Sequence, residues 1–200
     1  VDGTLRTLQA ALDYRRRGWS VIPMAMDTKH PTVRWKRYQR NRATERTIRK
    51  WFSNGEHGIA VVFGAISGNL VSRDFDTMEA YERWAADHPD LAAKLPTVAT
   101  RRGMHVYATA TEKHVADFRC SIGKPDGTGA IQVAAGELRC GVGCYSVLPP
   151  SVHPSGAVYR WEIPLPDGPL PEIDVFVAGF YQPPIAASGP CNREHREHRE

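Results

Sequence analysis

The chain opens on an amphipathic pattern. Between residues 4 and 17, Leu5, Leu8, Ala11 and Leu12 recur at helical spacing, which predicts a helix that Gly18 is placed to end. Trp19 to Met24 is a short apolar run and predicts a strand. Residues 25–43 keep neither period, with Pro31 and Trp35 as the expected anchors of an irregular stretch. Thr44 suits the cap of a second helix running to about Phe52. Gly58 to Phe63 predicts a buried strand around Ile59-Ala60-Val61-Val62. The turn residues Ser67-Gly68-Asn69 lead into another strand, Leu70 to Phe75. A third helix is expected from about Thr77 to Asp87, stopping before Pro89.

Beyond that point the pattern is dominated by strands. Thr97 to Thr100 and His105 to Ala108 predict a hairpin around Arg102-Gly103. Residues 110–129 are polar and poorly periodic. Ala130 to Arg139, Tyr145 to Leu148 and Val158 to Trp161 read as three more strands, with a short helix after Pro171. From Pro183 onward Pro, Ser and Gly accumulate and the chain ends in Arg-Glu-His repeats. Residues 1–182 are therefore expected to form the folded domain and 183–200 a disordered linker or tail. Alternating helices and strands followed by strands alone predict an α+β or mixed α/β fold of two modules.

Composition narrows this picture. With 200 residues and 42% hydrophobic content, the chain can build one substantial core or two small modules that share an interface. No run of about 18 apolar residues occurs, so no membrane span is expected. Val1-Asp2-Gly3 starts no basic-then-apolar signal pattern, and secretion is not expected. The cysteines, at 120, 140, 144 and 191, are irregularly spaced and fit a reducing cytoplasm. Cys140 and Cys144 form a C-x3-C pair that could hold Zn²⁺ with Cys120 or a histidine. Without a second tight pair, zinc is the lesser expectation. The net charge is only +4, yet nine Lys and Arg fall between Lys29 and Lys50 against one acid, Glu45. This stretch, with Lys29, Arg34, Lys36 and Arg37, can attract a phosphate backbone and release its counterions; it reads equally as a solvated face.

The candidate chemistry centres on Asp74-Phe75-Asp76. Residues i and i+2 of a strand share a face, so both carboxylates project together while Phe75 turns to the core. Two carboxylates so close repel unless a cation stands between them, and hard oxygen donors favour Mg²⁺ or Mn²⁺. Two such ions can activate an attacking hydroxyl and stabilise a leaving pyrophosphate. The same pair also fits an edge strand with two solvated acids ahead of a capped helix. A second group is Thr100-Arg101-Arg102-Gly103-Met104-His105, where guanidinium, imidazole and turn N–H groups suit a triphosphate. A third is Gly136-Glu137-Leu138-Arg139, followed by Tyr145 and the turn Pro149-Pro150-Ser151-Val152-His153. Glu137 could supply a third metal ligand from a neighbouring strand, and the turn presents a hydroxyl and an imidazole on a rigid loop.

In this order the signals resemble the bifunctional primase–polymerase domains of plasmid, phage and mobile-element replication proteins, of archaeo-eukaryotic primase type. The resemblance runs through Gly18-Trp19-Ser20-Val21-Ile22-Pro23, Lys29-His30-Pro31, Trp35, the Trp51 helix, Gly58-Ile59-Ala60, Gly64 and Ser67-Gly68. It continues through Asp74-Phe75-Asp76, Gly103-Met104-His105, Pro149-Pro150-Ser151, Gly156 and Tyr159-Arg160-Trp161, over about residues 4 to 175. It implies an N-terminal αβ module packed on an RRM-like sheet module, with the active site between them. It also implies a DNA-templated nucleotidyltransferase that makes and extends primers from dNTPs or NTPs on single-stranded DNA. Such domains often precede a helicase domain and act in the cytoplasm of a bacterial host.

By the same resemblance, Asp74, Asp76 and Glu137 are the catalytic acids and ligands of two Mg²⁺ or Mn²⁺ ions, and His105 contacts the incoming nucleotide. From their own chemistry, Arg101, Arg102, Arg139, Ser151 and His153 are further candidates to bind the nucleotide, and Lys29, Arg34, Lys36 and Arg37 to hold the template. The third acid stays open: a second register places Ile131-Gln132-Val133 at that motif, with Gln132 in place of the acid. Cys140 and Cys144 partly replace the family's glycines there, and some relatives carry a zinc-binding insertion. The rival readings are a nucleic-acid-binding module without catalysis and a metal-dependent nuclease.

Overall fold

The computed structural model describes residues 2–55, 57–111 and 130–181. The polar stretch 112–129, with Cys120, and the tail from 182, with Cys191, lie outside the described residues.

Helix α1 (Asp2–Arg16) gives way at Gly18, whose φ of 85° is open to glycine. Strand β1 (Ser20–Ala25) follows and turns back at Lys29, φ 56°, into the two-residue β2 (His30–Pro31). The expected irregular stretch thus contains a strand and a short 3-10 helix, Trp35–Gln39, whose buried anchor is Tyr38. Helix α2 (Glu45–Trp51) starts where expected: the Thr44 side chain accepts from the Thr47 amide. Strand β3 (Gly58–Val62) is buried throughout. With β9 (Tyr145–Leu148) it completes the first sheet, ordered β2-β1-β3-β9 with every adjacent pair antiparallel.

The second sheet is built around β4 (Leu70–Phe75). Helix α3 (Met78–Asp87), capped by Thr77, is followed by a helix the pattern did not show, α4 (Pro89–Lys94). Pro89 ends one helix and starts the next, because its fixed φ suits a first turn. Strands β5 (Thr97–Ala99) and β6 (Met104–Ala110) form the expected hairpin. The single strand expected over 130–139 is instead two, β7 (Ala130–Val133) and β8 (Gly136–Cys140). They fold back through Ala135 at φ 53° and Gly136 at φ 145°, a turn with no Pro or Asn-Gly to announce it. Strand β10 covers Arg160–Ile163, shifted from the expected 158–161, and Val158 makes an isolated bridge with Val152. The helix expected after Pro171 is a strand, β11 (Glu172–Ile173), because its amides find a ready edge parallel to β6. The second sheet runs β10-β5-β6-β4-β8-β7, with β11 added on β6.

Two cores result, one on each face of the second sheet. Its front face, including Val98 and Tyr107, packs with the first sheet, α1 and α2. Its rear face, with Val71, Phe75, Val106 and Leu138, packs on Trp84 of α3 and on Val175 and Phe180 near the C-terminal end. The fold is α+β, as the pattern indicated, and no helix of the described residues is long and apolar enough to cross a membrane.

Candidate active site

Strand register assembles the site. Asp74 on β4 pairs directly with His105 on β6 and with Glu137 on β8. Directly opposed residues point to the same face, so the three side chains form a row across the front of the second sheet. Asp76 follows one step beyond the strand, exposed, with its amide donating to the Ala135 carbonyl. Gln132, the other candidate for the third acid's position, pairs with Glu137 on β7 and so lies one strand further from Asp74.

Two glycines let the neighbouring turns crowd the acidic strand end. A Cβ on Gly103 would stand 1.9 Å from the Phe75 carbonyl oxygen, and one on Gly136 1.9 Å from that of Asp74. Gly103 therefore brings the Arg101-Arg102 turn against Asp76, while Thr100 Oγ1 donates to the Gly103 carbonyl and accepts from its amide.

Asp74 Oδ1 lies 3.1 Å from His105 Nε2, and its Oδ2 accepts from Arg139 Nη2 at 3.3 Å. The same Nη2 lies 2.8 Å from Glu137 Oε2, so one guanidinium spans both carboxylates. Burial pushes the Asp74 carboxyl up, but the charges and hydrogen bonds of His105 and then Arg139 outweigh it and hold the group at about 2. The other His105 nitrogen, Nδ1, meets Ser146 Oγ at 3.2 Å, and the Tyr107 hydroxyl donates to that same oxygen. Ser146 belongs to β9, so His105 joins the two sheets.

A cleft of about 320 Å³ opens above Asp74 and Asp76, walled by Lys29, Arg101, Arg102, His105, His153 and Tyr159. A second cavity of about 250 Å³ shares Lys29, Asp74, His105 and Tyr159 and continues to Arg139, Tyr145 and Ser146. Lys29 has no hydrogen-bonding or ion-pair partner among the described residues. Desolvation and Arg102 lower its ammonium pKa, against the pull of Asp74. Desolvation together with the Lys29, Arg101 and Arg102 charges holds the His153 imidazole below its ordinary range.

Of the residues singled out from the sequence, Asp74, Asp76, His105, Arg101, Arg102 and His153 meet at the cleft, with Glu137 and Arg139 beside it. Lys29, grouped with the template-binding stretch, lines the cleft itself. Arg34, just before the 3-10 helix, and Lys36 and Arg37 on it stay exposed beside Trp35, which packs edge-on against Tyr145 at 5.0 Å. Ser151 departs from expectation. Its hydroxyl is buried, accepts from the Ile59 amide at 2.8 Å and faces the Ile59 carbonyl, so it staples the Pro149-Pro150 turn to β3 instead of facing the cleft. Ser146, Tyr159 and Arg73 were not anticipated. The period-2 alternation of β9 could have placed Ser146 beside an inward-facing site, and an arginine inside an apolar strand next to Asp74 marked Arg73.

Carboxylate oxygens alone suit a hard divalent cation, and Asp74, Asp76 and Glu137 offer that donor chemistry. Among the described residues no three His, Cys, Asp or Glu side chains are grouped as a ready metal site. The place between Asp74 and Glu137 is spanned by Arg139, which must yield for both to share an ion. Cys140 and Cys144 fall in separate cores, and burial pushes both thiols up, Cys144 to about 12.

A row of acids and a histidine, ringed by cations where two sheets meet, offers oxygen donors for a hard cation and positive charge for phosphate groups. The family model of the bifunctional DNA primase/polymerase N-terminal domain matches residues 11–173. The chain belongs to this Prim-Pol family, one of primase/polymerase-type nucleotidyltransferases that act on DNA and nucleotides. No curated protein matches it.

Proposed function

We propose that this domain joins nucleotides on a DNA template, extending a primer 3′ end with release of pyrophosphate. The observation that carries this reading is the row His105–Asp74–Glu137 in strand register, with Asp76 beside it, opening on a cleft walled by Lys29, Arg101 and Arg102. Asp74, Asp76 and Glu137 would hold the divalent ions. Mg²⁺ or Mn²⁺ there would act as Lewis acids toward the attacking 3′-hydroxyl and the leaving pyrophosphate. The side chains do the rest. Lys29, Arg101 and Arg102 bind and orient the triphosphate, arginine as a planar fork and lysine as a point charge. His105, fixed at both nitrogens, aligns Asp74 and closes the cleft toward the first sheet. The exposed Arg34, Lys36 and Arg37 hold the template phosphates, an interaction that salt weakens.

The test is a labelled primer–template incubated with dNTPs and Mn²⁺. The protein should lengthen the primer, and Asp74→Asn with Asp76→Asn should abolish extension while the circular dichroism spectrum stays unchanged. Undiminished extension by the folded double variant overturns the reading. Shortened strands in place of lengthened ones would make the domain a nuclease.

A further inference from the structure

Arg73 sits between Ser72 and Asp74, with its side chain on the rear of the second sheet, where the surroundings are apolar. It is only 5% exposed, and its guanidinium lies 4.4 Å from the centre of the Phe75 ring. Burying such a charge is costly unless its donors are satisfied. Among the described residues no carboxylate pairs with it. Its donors go to backbone carbonyls: Nη1 to those of Asp74 and, at 3.5 Å, Glu137, and Nη2 to that of Ala134 at 2.6 Å. The first two belong to the residues that carry the proposed acids, and the third opens the turn that brings β8 alongside β4.

We infer that Arg73 is a positioning residue. From behind the sheet its fork ties the backbone of Asp74 to that of Glu137 and so sets how the two carboxylates stand to each other. This rests on the proposed metal-binding role of those acids. Gly136 is the complementary half of the clamp. A side chain there would meet the Asp74 carbonyl oxygen at 1.9 Å and Arg73 Nη1 at 2.8 Å, so the guanidinium reaches its acceptors only past a glycine. The front-face bridge through Arg139 touches the carboxylates themselves and has to open when they take other partners. The rear clamp touches only carbonyls and persists whatever the carboxylates bind.

The test uses Arg73→Met, which fills the space without donors, and Arg73→Lys, which keeps the charge but loses the planar fork. In metal-free protein, amide exchange at Asp76 and Glu137 should quicken on the order of tenfold in both variants, with β1 and β3 unchanged. Mn²⁺ affinity, read by titration without nucleotide, should fall by about tenfold or more in both. In primer extension kcat should fall with KM for dNTP unchanged. Folded variants that bind Mn²⁺ as the parent does overturn the inference, and so does rescue by Arg73→Lys. If Arg73→Met does not fold, Arg73→Lys decides. Asp74→Asn with Asp76→Asn separates the two levels. Loss of Mn²⁺ binding there but not in the Arg73 variants removes the positioning role alone; retained binding removes the metal site and the positioning role with it.

Discussion

Gly103→Ala tests the steric logic of the site most directly. The β5–β6 turn crosses the end of β4 so closely that a Cβ at 103 would stand 1.9 Å from the Phe75 carbonyl oxygen and 2.9 Å from the Asp76 carbonyl carbon. Relief of that overlap takes a displacement of roughly 1 Å, because the interior is close-packed. Backbone in mid-sheet is the obstacle, not the far end of a flexible side chain, so the turn has to give way. Arg101 and Arg102 retreat from Asp76, and the start of β6 carries His105 with them. Residue 103 is not among the positive-φ glycines, so alanine adds no backbone strain and the effect is steric alone. A misplacement of about 1 Å costs on the order of 100-fold in rate, equivalent to about 3 kcal/mol of transition-state stabilisation. Single-nucleotide primer extension at varied dNTP should show that loss in kcat/KM. Thermal unfolding should still give one cooperative transition, at a lower Tm. A folded Gly103→Ala domain with kcat/KM within about threefold of the parent would mean that the turn does not hold Arg101, Arg102 and His105 in place, since about 1 Å of displacement is expected to cost far more.

The third acid is tested by a pair of substitutions. Glu137→Ala should reduce primer extension as severely as loss of Asp74, while Gln132→Ala, one strand further out, should be mild; the reverse result would assign the position to Gln132. Asp74 should also leave a signature in stability. Its carboxyl is held at about 2 against an ordinary 3.8, so the unfolded chain takes up its proton first as pH falls. The ionised group's contribution, about 2 kcal/mol, is full above roughly pH 4 and lost as pH falls through 2. Urea unfolding of the parent and of Asp74→Asn should therefore differ by an amount that shrinks between pH 4 and 2. A difference that stays flat over that window would count against the His105 and Arg139 pairing.

What the sequence made legible was local. Thr44 and Thr77 cap their helices as their positions suggest, and Gly18 ends α1, because these interactions span only a few residues. The turn in Ala134-Ala135-Gly136 stayed hidden because two alanines continue a strand pattern, and its need for glycine comes from the Asp74 carbonyl on another strand. Strand β11 was hidden for a similar reason: two residues become a strand only because β6 offers them an edge. For the site, Asp74, Asp76 and His105 stood out by type and spacing. That Asp74 lies between His105 and Glu137 is a fact of strand order, which no local pattern encodes. Ser151 shows the opposite error: a hydroxyl in a suggestive motif is taken up by the Ile59 backbone.

The division of charge between the sheets bears on what the cleft can accept. The acids and His105 stand on the second sheet, Lys29 arrives from the β1–β2 turn of the first, and His105 links them through Asp74 and Ser146. Lys29, Arg101, Arg102 and Arg139 outnumber Asp74, Asp76 and Glu137 around the two cavities. A bare dication can still bind alone, but more weakly, against that positive excess and the Arg139 bridge between Asp74 and Glu137. A neutral nucleoside leaves Lys29 with no counter-charge. A triphosphate arriving with its own divalent ion would answer both, its phosphates placed to meet Lys29 and the arginines and the ion to meet the carboxylates. If Arg139 turned from the carboxylates toward phosphate oxygens, Asp74 and Glu137 would be free to hold a divalent ion. On this reading, metal and nucleotide strengthen each other's binding because one guanidinium holds the place that both must share.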